Sequence, residues 1–553
     1  MTHAFLVSLL SQRTVPHPAA PPAPNLAALS QRNHFANTRR HLLVRAAALL
    51  LASSALLGTA PAEARKKAPH PSVNASTILP PAVMAGLQRA RIPLPAVSVV
   101  IEKIGEPTPI VALNAGQPMM PASTMKLVTT YAGLSLLGPD YRWRTTAYAD
   151  GELDSQGVLH GNLYLQGTGD PKLVPEELID LVQKIRQSGI NGIDGALVFD
   201  KRFFASATRD LPPFDSDIHE PYNVGPDPLL YAFKSLLFTL TPAPDGTVAI
   251  DVLPALSQLR LDNQLHADSG PCRPDATTLT PAVTVSPDGG IIARFSGNYP
   301  LRCGPRTINY AVLNHMDFLA GGFLAQWQQT GGTFNGTTRE GAVPPGARLI
   351  ATHRSPALAD VVRDINKFSN NTMARNLFLT IGAVSGKPPA TPEQSARVIE
   401  TFLHRNGLPM EHLVLDNGAG LSRHEQVSAL SLADLLQNAN ASPVAQAFVD
   451  SLPVVGVDGT MRRRLTTRPI SGNAHIKTGT LRDVRAIAGY VASMDGTSYV
   501  IVSLINNDHA EAGQAAHDAL LEWVYAGPTQ PFPAAPAKPY AKPRKNPQRQ
   551  ARH

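Results

Sequence analysis

Strand-like segments stand at both ends of this chain, and their placement constrains the fold more than any other feature. Near the start, residues 96–103 and 110–115 are rich in β-branched side chains and are separated by a turn. Near the other end, a predicted β-meander comprises residues 474–480, 485–493 and 498–506. Helical patterns dominate much of the chain between them. We therefore predict an α/β fold in which one antiparallel sheet, built from both ends, is covered by helices.

Apolar residues at helical spacing mark the predicted helices. They cover residues 78–91, 175–188, 357–368, 372–384, 391–406, 431–440 and 511–525. Between residues 141 and 348 the pattern changes to short strands and turns, with the helix at 175–188 as the single clear helix. Residues 239–310 are almost wholly β in character. This organisation predicts an inserted module that itself contains a β-rich insertion.

The two termini carry the basic charge of the chain, whose sequence pI is about 9.3. Arg39, Arg40 and Arg45 precede the apolar run 46–58, and Ala62-Glu63-Ala64 follows it as a cleavage site, so residues 1–64 are predicted to be an export signal. Residues 527–553 are rich in proline, alanine and basic residues, and we expect a disordered tail. Such a tail suits ionic association with a cell wall or a membrane surface, although a solubilising tail is an equal alternative.

Cys272 and Cys303 are the two cysteines of the chain. In an exported protein, two cysteines this close in sequence predict a disulfide bond that stabilises one hairpin or small subdomain. Neither cysteine lies in a metal-ligand pattern, so we predict no metal site.

Ser123 stands at the predicted start of an apolar helix, three residues before Lys126. Side chains at i and i+3 share a helix face, so the Lys126 amine can reach the Ser123 hydroxyl. The positive end of the helix dipole disfavours an ammonium at Lys126 and favours a developing alkoxide at Ser123. An activated serine with a lysine base needs these conditions. A capping serine followed by a solvated lysine is the alternative, since such spacing occurs roughly once by chance in a chain of this length.

Two further motifs follow in order along the chain. Ser369-Asn370-Asn371 falls in a predicted loop between two helices, and Lys477-Thr478-Gly479 falls on a predicted strand. With Ser123-x-x-Lys126, they form the triplet of serine β-lactamases and penicillin-binding proteins. Each motif alone is weak, but coincidence does not readily explain all three in these structural contexts.

On these motifs the chain resembles the penicillin-binding protein 4 type of D-alanyl-D-alanine carboxypeptidase/endopeptidase, the class C low-molecular-mass penicillin-binding proteins. The resemblance covers nearly all of the predicted mature chain, and the long insertion between the first two motifs is typical of that family. Supporting stretches are residues 116–126, 167–171, 416–423, 456–461 and 477–481. One departure is Asn370, where many relatives carry aspartate.

The resemblance implies a chemical role for the residues of the first two motifs. Ser123 would attack a peptide carbonyl and form an acyl-enzyme, while neutral Lys126 takes its proton. Ser369 would relay that proton to the leaving amine, and Asn371 would orient Lys126 or the substrate.

The third motif would bind the substrate. Lys477 would place a cation near the terminal carboxylate of the substrate, and Thr478 would add a hydroxyl donor. Gly479 lacks a Cβ atom, so the substrate could lie against the strand edge. The backbone N–H groups of Ser123 and Thr480 are implied as the oxyanion hole.

Other candidate motifs support weaker hypotheses. Asp217 is where relatives place an insertion-domain acid that contacts the amine of the peptide stem, and an ordinary loop aspartate is the alternative. His424-Glu425 lacks the second histidine of a zinc protease motif, and the stretch 167–170 lacks the third glycine of a dinucleotide site. Asp416 and Asp458 are expected to hold turns.

The predicted domain organisation follows from these patterns. The leader is 1–64; the catalytic domain is 65–146 and 347–526; insertion domain II is 147–235 and 311–346; the nested β-rich domain III is 236–310; and the tail is 527–553.

The resemblance implies a penicillin-binding/serine β-lactamase-like transpeptidase fold and an exported, periplasmic serine DD-peptidase. Its substrates would be peptidoglycan stem peptides that end in D-Ala-D-Ala, with D-Ala cross-links as further substrates and β-lactams as covalent inhibitors. No cofactor and no nucleic-acid partner is predicted. A β-lactamase or esterase on the same fold, and a non-catalytic wall-binding protein, are the alternatives.

Overall fold

A five-stranded antiparallel sheet forms the centre of the fold, and both ends of the chain contribute to it. The computed structural model describes residues 75–272, 279–287, 289–408 and 410–528. In spatial order the strands are Glu106–Leu113, Val97–Lys103, Ser498–Asn506, Val484–Ala492 and Ala474–Leu481. Every neighbouring pair is antiparallel. The predicted fold class, a sheet built from both ends and covered by helices, is confirmed.

Two segments predicted from the sequence, one at each terminus, lie wholly or mostly beyond the residues that the structure describes. The predicted leader, 1–64, and all but the first two residues of the predicted tail lie outside the described residues. Within the part of the chain that is described, no helix has both the length and the apolar character required to cross a membrane.

Helices cover both faces of the sheet because its strands are apolar on both sides. In Val97–Lys103, only the final residue is exposed. Helices Pro81–Arg89 and Gln514–Tyr525 pack on one face. They cross so closely that a Cβ atom on Gly86 would lie 3.0 Å from the Cα atom of Ala516. Helix Ala429–Asn440 packs on the opposite face.

Helix Lys126–Leu137 lies in the middle of the helical layer, and its residues 126–134 are all buried. A helix that is apolar around its whole circumference requires such a position. The helices that surround it are Leu358–Phe368, Asn371–Ser385, Pro392–Arg405, Ala429–Asn440 and Ala445–Asp450. The Ser-x-x-Lys motif therefore leads into a helix that is surrounded by other helices of this layer.

The insertion contains a second sheet, in the spatial order Thr338–Glu340, Leu197–Asp200, Leu163–Gly167, Arg144–Ala149 and Arg348–Arg354. Short strands at Thr333–Phe334, Gly192–Ile193, Val158–His160 and Glu152–Leu153 form a third sheet, and helix Pro175–Gln187 packs against strand Arg348–Arg354. Because the strand at 144–149 pairs with the strand at 348–354, we propose that the insertion extends from about residue 144 to about residue 354.

Two three-stranded sheets form the nested β-rich part. One has the order Val248–Leu253, Ser235–Pro242 and Arg306–Ala311, and the other Leu259–Asp268, Ile291–Pro300 and Ala282–Val285. In the second sheet, the first two strands run parallel. A disulfide bond joins Cys272 to Cys303, with an S–S distance of 2.05 Å.

The expectation of a single helix between residues 141 and 348 is wrong. A second helix, His315–Gln329, begins at Asn314, whose side chain accepts a hydrogen bond from the backbone N–H of Asp317. Apolar and small residues occur on all sides of this helix, so the sequence lacks the amphipathic pattern of a surface helix. Gly322 shows why small residues occur there: a Cβ atom at this position would lie 2.2 Å from the Tyr231 ring.

Candidate active site

Ser123 lies in a sharp turn between a short strand and a buried helix. The strand Pro118–Met119 is followed by the 3-10 turn Ala122–Met125, which continues directly into helix Lys126–Leu137. Ala122 has a φ angle of +46°, a left-handed value that redirects the chain just before the serine. The turn leaves Ser123 at the wall of an open cavity.

The amine of Lys126 is completely buried beside this serine. Its Nζ atom lies 2.9 Å from Ser123 Oγ and donates to Asn371 Oδ1 at 2.7 Å. It also donates to the backbone carbonyl of Ala419. Burial, reinforced by the positive charge of Lys477, holds the pKa of Lys126 well below its ordinary value. A neutral amine beside a serine hydroxyl can accept the hydroxyl proton.

The Ser369-Asn370-Asn371 motif connects two helices of the helical layer. Ser369 has a left-handed φ of +58° and ends the first helix. Asn370 begins the second helix, and its side chain accepts from the N–H of Met373 at 2.9 Å. Asparagine and aspartate are both good N-caps, which explains physically why Asn370 suits this position. The amide nitrogen of Asn371 donates to the Tyr222 carbonyl at 3.3 Å, so its oxygen faces the lysine.

Lys477 lies on the edge strand Ala474–Leu481 and reaches the same centre. Its Nζ atom donates to Ser369 Oγ at 2.9 Å and to the Thr478 carbonyl at 2.8 Å. Complete burial lowers the pKa of Lys477 to about 7. The Thr478 hydroxyl donates to Thr460 Oγ1 at 2.8 Å.

Two glycines allow backbone segments to approach the Ser123 turn. A Cβ atom on Gly479 would lie 2.7 Å from the Pro121 carbonyl oxygen and 3.1 Å from the Ala122 Cβ atom. A Cβ atom on Gly420 would lie 1.8 Å from the Ala122 carbonyl oxygen. Gly479 therefore has a structural reason to be glycine in addition to the expected contact with substrate.

The cavity in front of Ser123 has a volume of about 570 Å³. Polar, charged and aromatic side chains from both the catalytic part and the insertion contribute to its wall. The lining residues are Ser123, Phe214, Asp215, Tyr222, Asn371, Gly420, Leu421, Arg423, Thr480, Leu481, Arg482, Arg485 and Glu511. Thr480, predicted to supply an oxyanion-hole N–H group, is among them.

Asp217 occupies a different position from the other predicted site residues. It is exposed and does not line the cavity, whereas Asp215 does. The Tyr222 hydroxyl connects the two acids, since it donates to Asp215 Oδ2 at 2.9 Å and to Asp217 Oδ2 at 3.2 Å. The structure therefore brings Asp215 closer to the reaction cavity than Asp217.

Asp458 holds a turn, as the sequence pattern indicated. Its Oδ1 atom accepts the Val454 N–H at 2.7 Å, and its Oδ2 atom accepts from Lys367 Nζ at 2.6 Å.

Sequence reasoning did not identify the part played by the loop at residues 416–420. This loop supplies the Ala419 carbonyl to Lys126 and is held from beneath by Glu425. The supporting stretch 416–423 already indicated that the loop is near the site. The contact itself involves a backbone oxygen, which no side-chain motif encodes.

Three motifs that are far apart in the sequence thus converge on one edge of a helix-covered antiparallel sheet. A serine next to a buried lysine, and a second serine next to a second lysine, define the class of active-site serine enzymes with a penicillin-binding/serine β-lactamase-like fold. Residues 81–526 match the model of the D-Ala-D-Ala carboxypeptidase 3 (S13) family, and the chain belongs to that family. It is a serine-type D-Ala-D-Ala carboxypeptidase of the penicillin-binding protein 4 type, and the resemblance drawn from the motifs is confirmed.

Relatives by sequence and by structure agree with this membership. A D-alanyl-D-alanine carboxypeptidase of Actinomadura sp. (strain R39) is 31% identical, over 76% of this chain and 79% of that protein. The D-alanyl-D-alanine carboxypeptidase DacB of Haemophilus influenzae is 27% identical, over 74% of this chain and 85% of that protein. The crystal structure of penicillin binding protein 4 from H. influenzae superposes with a TM-score of 0.66 at 26% identity, and covers 80% of this chain and 99% of the other.

Proposed function

We propose that this protein is an exported serine DD-peptidase that hydrolyses D-Ala-D-Ala stem peptides of peptidoglycan through an acyl-enzyme on Ser123. The observation that carries the proposal is the 2.9 Å contact between Ser123 Oγ and the buried amine of Lys126. Release of the terminal D-alanine is the activity of the family, and we extend it to cleavage of D-alanyl cross-links, which contain the same type of amide bond.

Acylation begins when the Ser123 hydroxyl oxygen attacks the penultimate D-alanine carbonyl. Lys126 accepts the hydroxyl proton, and the oxyanion is stabilised by the backbone N–H groups of Ser123 and Thr480. The carbon–nitrogen bond then breaks, and Ser369 relays a proton to the amine of the departing D-alanine. Water finally hydrolyses the ester, which releases the shortened peptide and restores the Ser123 hydroxyl.

Substrate orientation depends on the terminal carboxylate. In its protonated form Lys477 is the cation that attracts this group, and Thr478 on the same strand adds a hydroxyl donor when its hydroxyl turns from Thr460 to the substrate. β-Lactams that carry a carboxylate would bind in the same way and acylate Ser123. One H. influenzae relative, penicillin binding protein 4, has been crystallised in complex with a β-lactam.

The first experiment is labelling of Ser123→Ala with fluorescent penicillin, together with incubation with defined muropeptides. We expect loss of covalent labelling and of D-alanine release, because the variant lacks the nucleophile. Ser135→Ala is the matched control, since Ser135 lies on the same helix, two and a half turns beyond Lys126. Continued covalent labelling of Ser123→Ala would refute the assignment of the nucleophile.

The same experiment separates the remaining alternatives. Loss of cross-linked dimers alongside D-alanine release supports the endopeptidase activity. Rapid turnover of the penicillin, in place of a stable acyl-enzyme, favours a β-lactamase or esterase. A folded protein that releases no D-alanine and sediments with cell walls favours a wall-binding role.

We also propose a periplasmic location and an ionic role for the C-terminal tail. The export signal predicted at residues 1–64 supports the location. The tail contributes Lys538, Lys542, Arg544, Lys545, Arg549 and Arg552 without an acidic residue, which supports association with an anionic wall polymer or membrane surface.

A further inference from the structure

Glu425 is a completely buried carboxylate beneath the loop that reaches Lys126. Its Oε1 atom accepts three successive backbone N–H groups, from Asp416 at 3.2 Å, Asn417 at 3.0 Å and Gly418 at 2.8 Å. Its Oε2 atom is buried and has no hydrogen-bond partner among the described residues. One oxygen of one side chain therefore binds three consecutive residues of the loop, while the Asn417 side chain binds the Ala419 N–H and the Leu421 carbonyl within it.

The loop is bound on its other side to the helix that carries the catalytic lysine. The Gly418 carbonyl accepts from Thr129 Oγ1 at 2.7 Å, and the next carbonyl, that of Ala419, accepts from Lys126 Nζ. Gly420 then passes against the backbone of the Ser123 turn. A shift of the loop would move the Ala419 oxygen away from Lys126.

The Ala419 oxygen controls the direction of the lysine lone pair. A neutral amine has two N–H donors and one lone pair. Asn371 Oδ1 and the Ala419 carbonyl are acceptors that cannot donate, so they use the two N–H groups of Lys126. The lone pair is then left for the third neighbour, the hydroxyl of Ser123. Without the Ala419 acceptor, an N–H group could rotate toward Ser123 instead.

We infer that Glu425 is a positioning residue for acylation: it holds the Ala419 carbonyl where that oxygen directs the Lys126 lone pair at the Ser123 hydroxyl. This inference rests on the proposed function, because it assigns Lys126 as the base. Glu425 itself does not touch the reacting atoms.

The charges around this pair predict how the carboxylate also affects the pH profile. Lys126 faces Lys477, Glu425 and Arg375, and Glu425 faces Asp416. Burial raises the pKa of Glu425 above its ordinary value, against the three N–H groups that favour its charged form. When Glu425 is ionised, its charge is the one among these groups that raises the pKa of Lys126. Glu425→Gln keeps an oxygen for the three amides but removes the charge, so it should lower the pKa of Lys126 further.

The test measures the second-order rate of acylation by fluorescent penicillin from pH 5 to 9. Glu425→Ala leaves the three N–H groups, of which that of Gly418 is buried, without their acceptor. We expect its rate to fall at least about tenfold at every pH, while KM for a D-Ala-D-Ala peptide changes less than about twofold. Glu425→Gln should restore the plateau rate to within about threefold, with its acidic limb displaced to lower pH. A merely structural role would not displace that limb.

Asp154→Ala provides the control. Asp154 accepts the N–H groups of Gln156 and Val158 in the insertion and does not line the cavity, so acylation should be unaffected. A wild-type rate for folded Glu425→Ala, or Glu425→Gln as slow as Glu425→Ala at every pH, overturns the inference. If Glu425→Ala does not fold, an unchanged acidic limb in Glu425→Gln overturns it. Failure of the wild type to acylate would instead refute the proposed function.

Discussion

At the scale of single residues, the proposed mechanism gives the two buried lysines of the site opposite protonation states. In that mechanism Lys126 must be neutral to accept a proton, and Lys477 must be charged to attract a carboxylate. Both are completely buried, which disfavours the charged form of each. Acylation therefore becomes faster as Lys126 loses its proton, and substrate binding becomes weaker as Lys477 loses its own.

The pKa of Lys477, about 7, predicts a pH-dependent KM. The cation is present below this pKa and is lost as the pH rises through it. We expect KM for a peptide with a free terminal carboxylate to increase above pH 7, by at most about tenfold per pH unit. The measurement is steady-state D-alanine release from pH 6 to 9.

The matched control for this prediction is the same peptide with a C-terminal amide. Its KM should show no alkaline increase, because it has no carboxylate for Lys477 to attract. An equal increase for both peptides, or a flat profile for the acid, would contradict the assigned role of Lys477.

At the residue scale, the motifs predicted which side chains lie together, while their chemical roles stay predictions. Ser123, Lys126, Ser369, Asn371 and Lys477 were all found as motif members, and the structure brings them together. The Ala419 carbonyl was not found, because a backbone oxygen leaves no signature in the residue type. The role of Asp217 at the peptide stem stays a prediction. That Asp215, two residues earlier, lines the cavity depends on the loop conformation, which the sequence does not specify.

At the scale of elements, the geometry of the site depends on the close contact between the edge strand Ala474–Leu481 and the Ser123 turn. Gly479→Ala would place a Cβ atom 2.7 Å from the Pro121 carbonyl oxygen, a backbone atom with little freedom to move. We expect the strand to be displaced and the acylation rate to fall at least about tenfold. Fluorescent-penicillin kinetics with a parallel thermal melt would measure this.

Gly116→Ala is the control for that strand contact. No heavy atom lies within 4 Å of a Cβ atom built on Gly116, and its φ is not in the left-handed region, so both rate and melting temperature should match the wild type. Wild-type acylation by Gly479→Ala would show that the turn can adapt.

Elements with a clear periodicity were predicted well, because one buried face imposes the pattern. Strand Ser498–Asn506 has the predicted bounds, and helix Leu358–Phe368 begins one residue after its predicted start. Helix His315–Gln329 was missed because it is enclosed by other elements, so burial on all sides removes the periodic signal. The parallel pairing of Leu259–Asp268 with Ile291–Pro300 depends on distant residues and could not be read from either strand.

At the scale of the whole molecule, the insertion is attached directly to the catalytic centre. Helix Asn371–Ser385 presents polar side chains to the insertion backbone: Arg375 donates to the Val224 carbonyl at 3.0 Å, and Asn376 donates to the Asp227 carbonyl at 3.0 Å. The position of the cavity wall is therefore coupled to the helix that carries Asn371.

The basic tail gives a prediction at this same scale. Deletion of residues 529–553 should reduce sedimentation with isolated cell walls or anionic vesicles at low salt, because six positive charges are removed. Penicillin acylation should be unchanged. A full-length variant with the six bases replaced by glutamine is the control for length and proline content, and it should behave like the deletion. Unchanged partitioning of both variants would exclude the ionic role.

The pairing of strand Val97–Lys103 with Ser498–Asn506 has a consequence for the timing of activity. A nascent chain that ends before residue 498 already contains all three motifs, yet the central strand between its two halves is absent. Strand Ala474–Leu481, which carries Lys477, is then not connected through the sheet to strand Val97–Lys103. We therefore expect the active site to form only after strand Ser498–Asn506 has paired with strand Val97–Lys103, as a late event of folding.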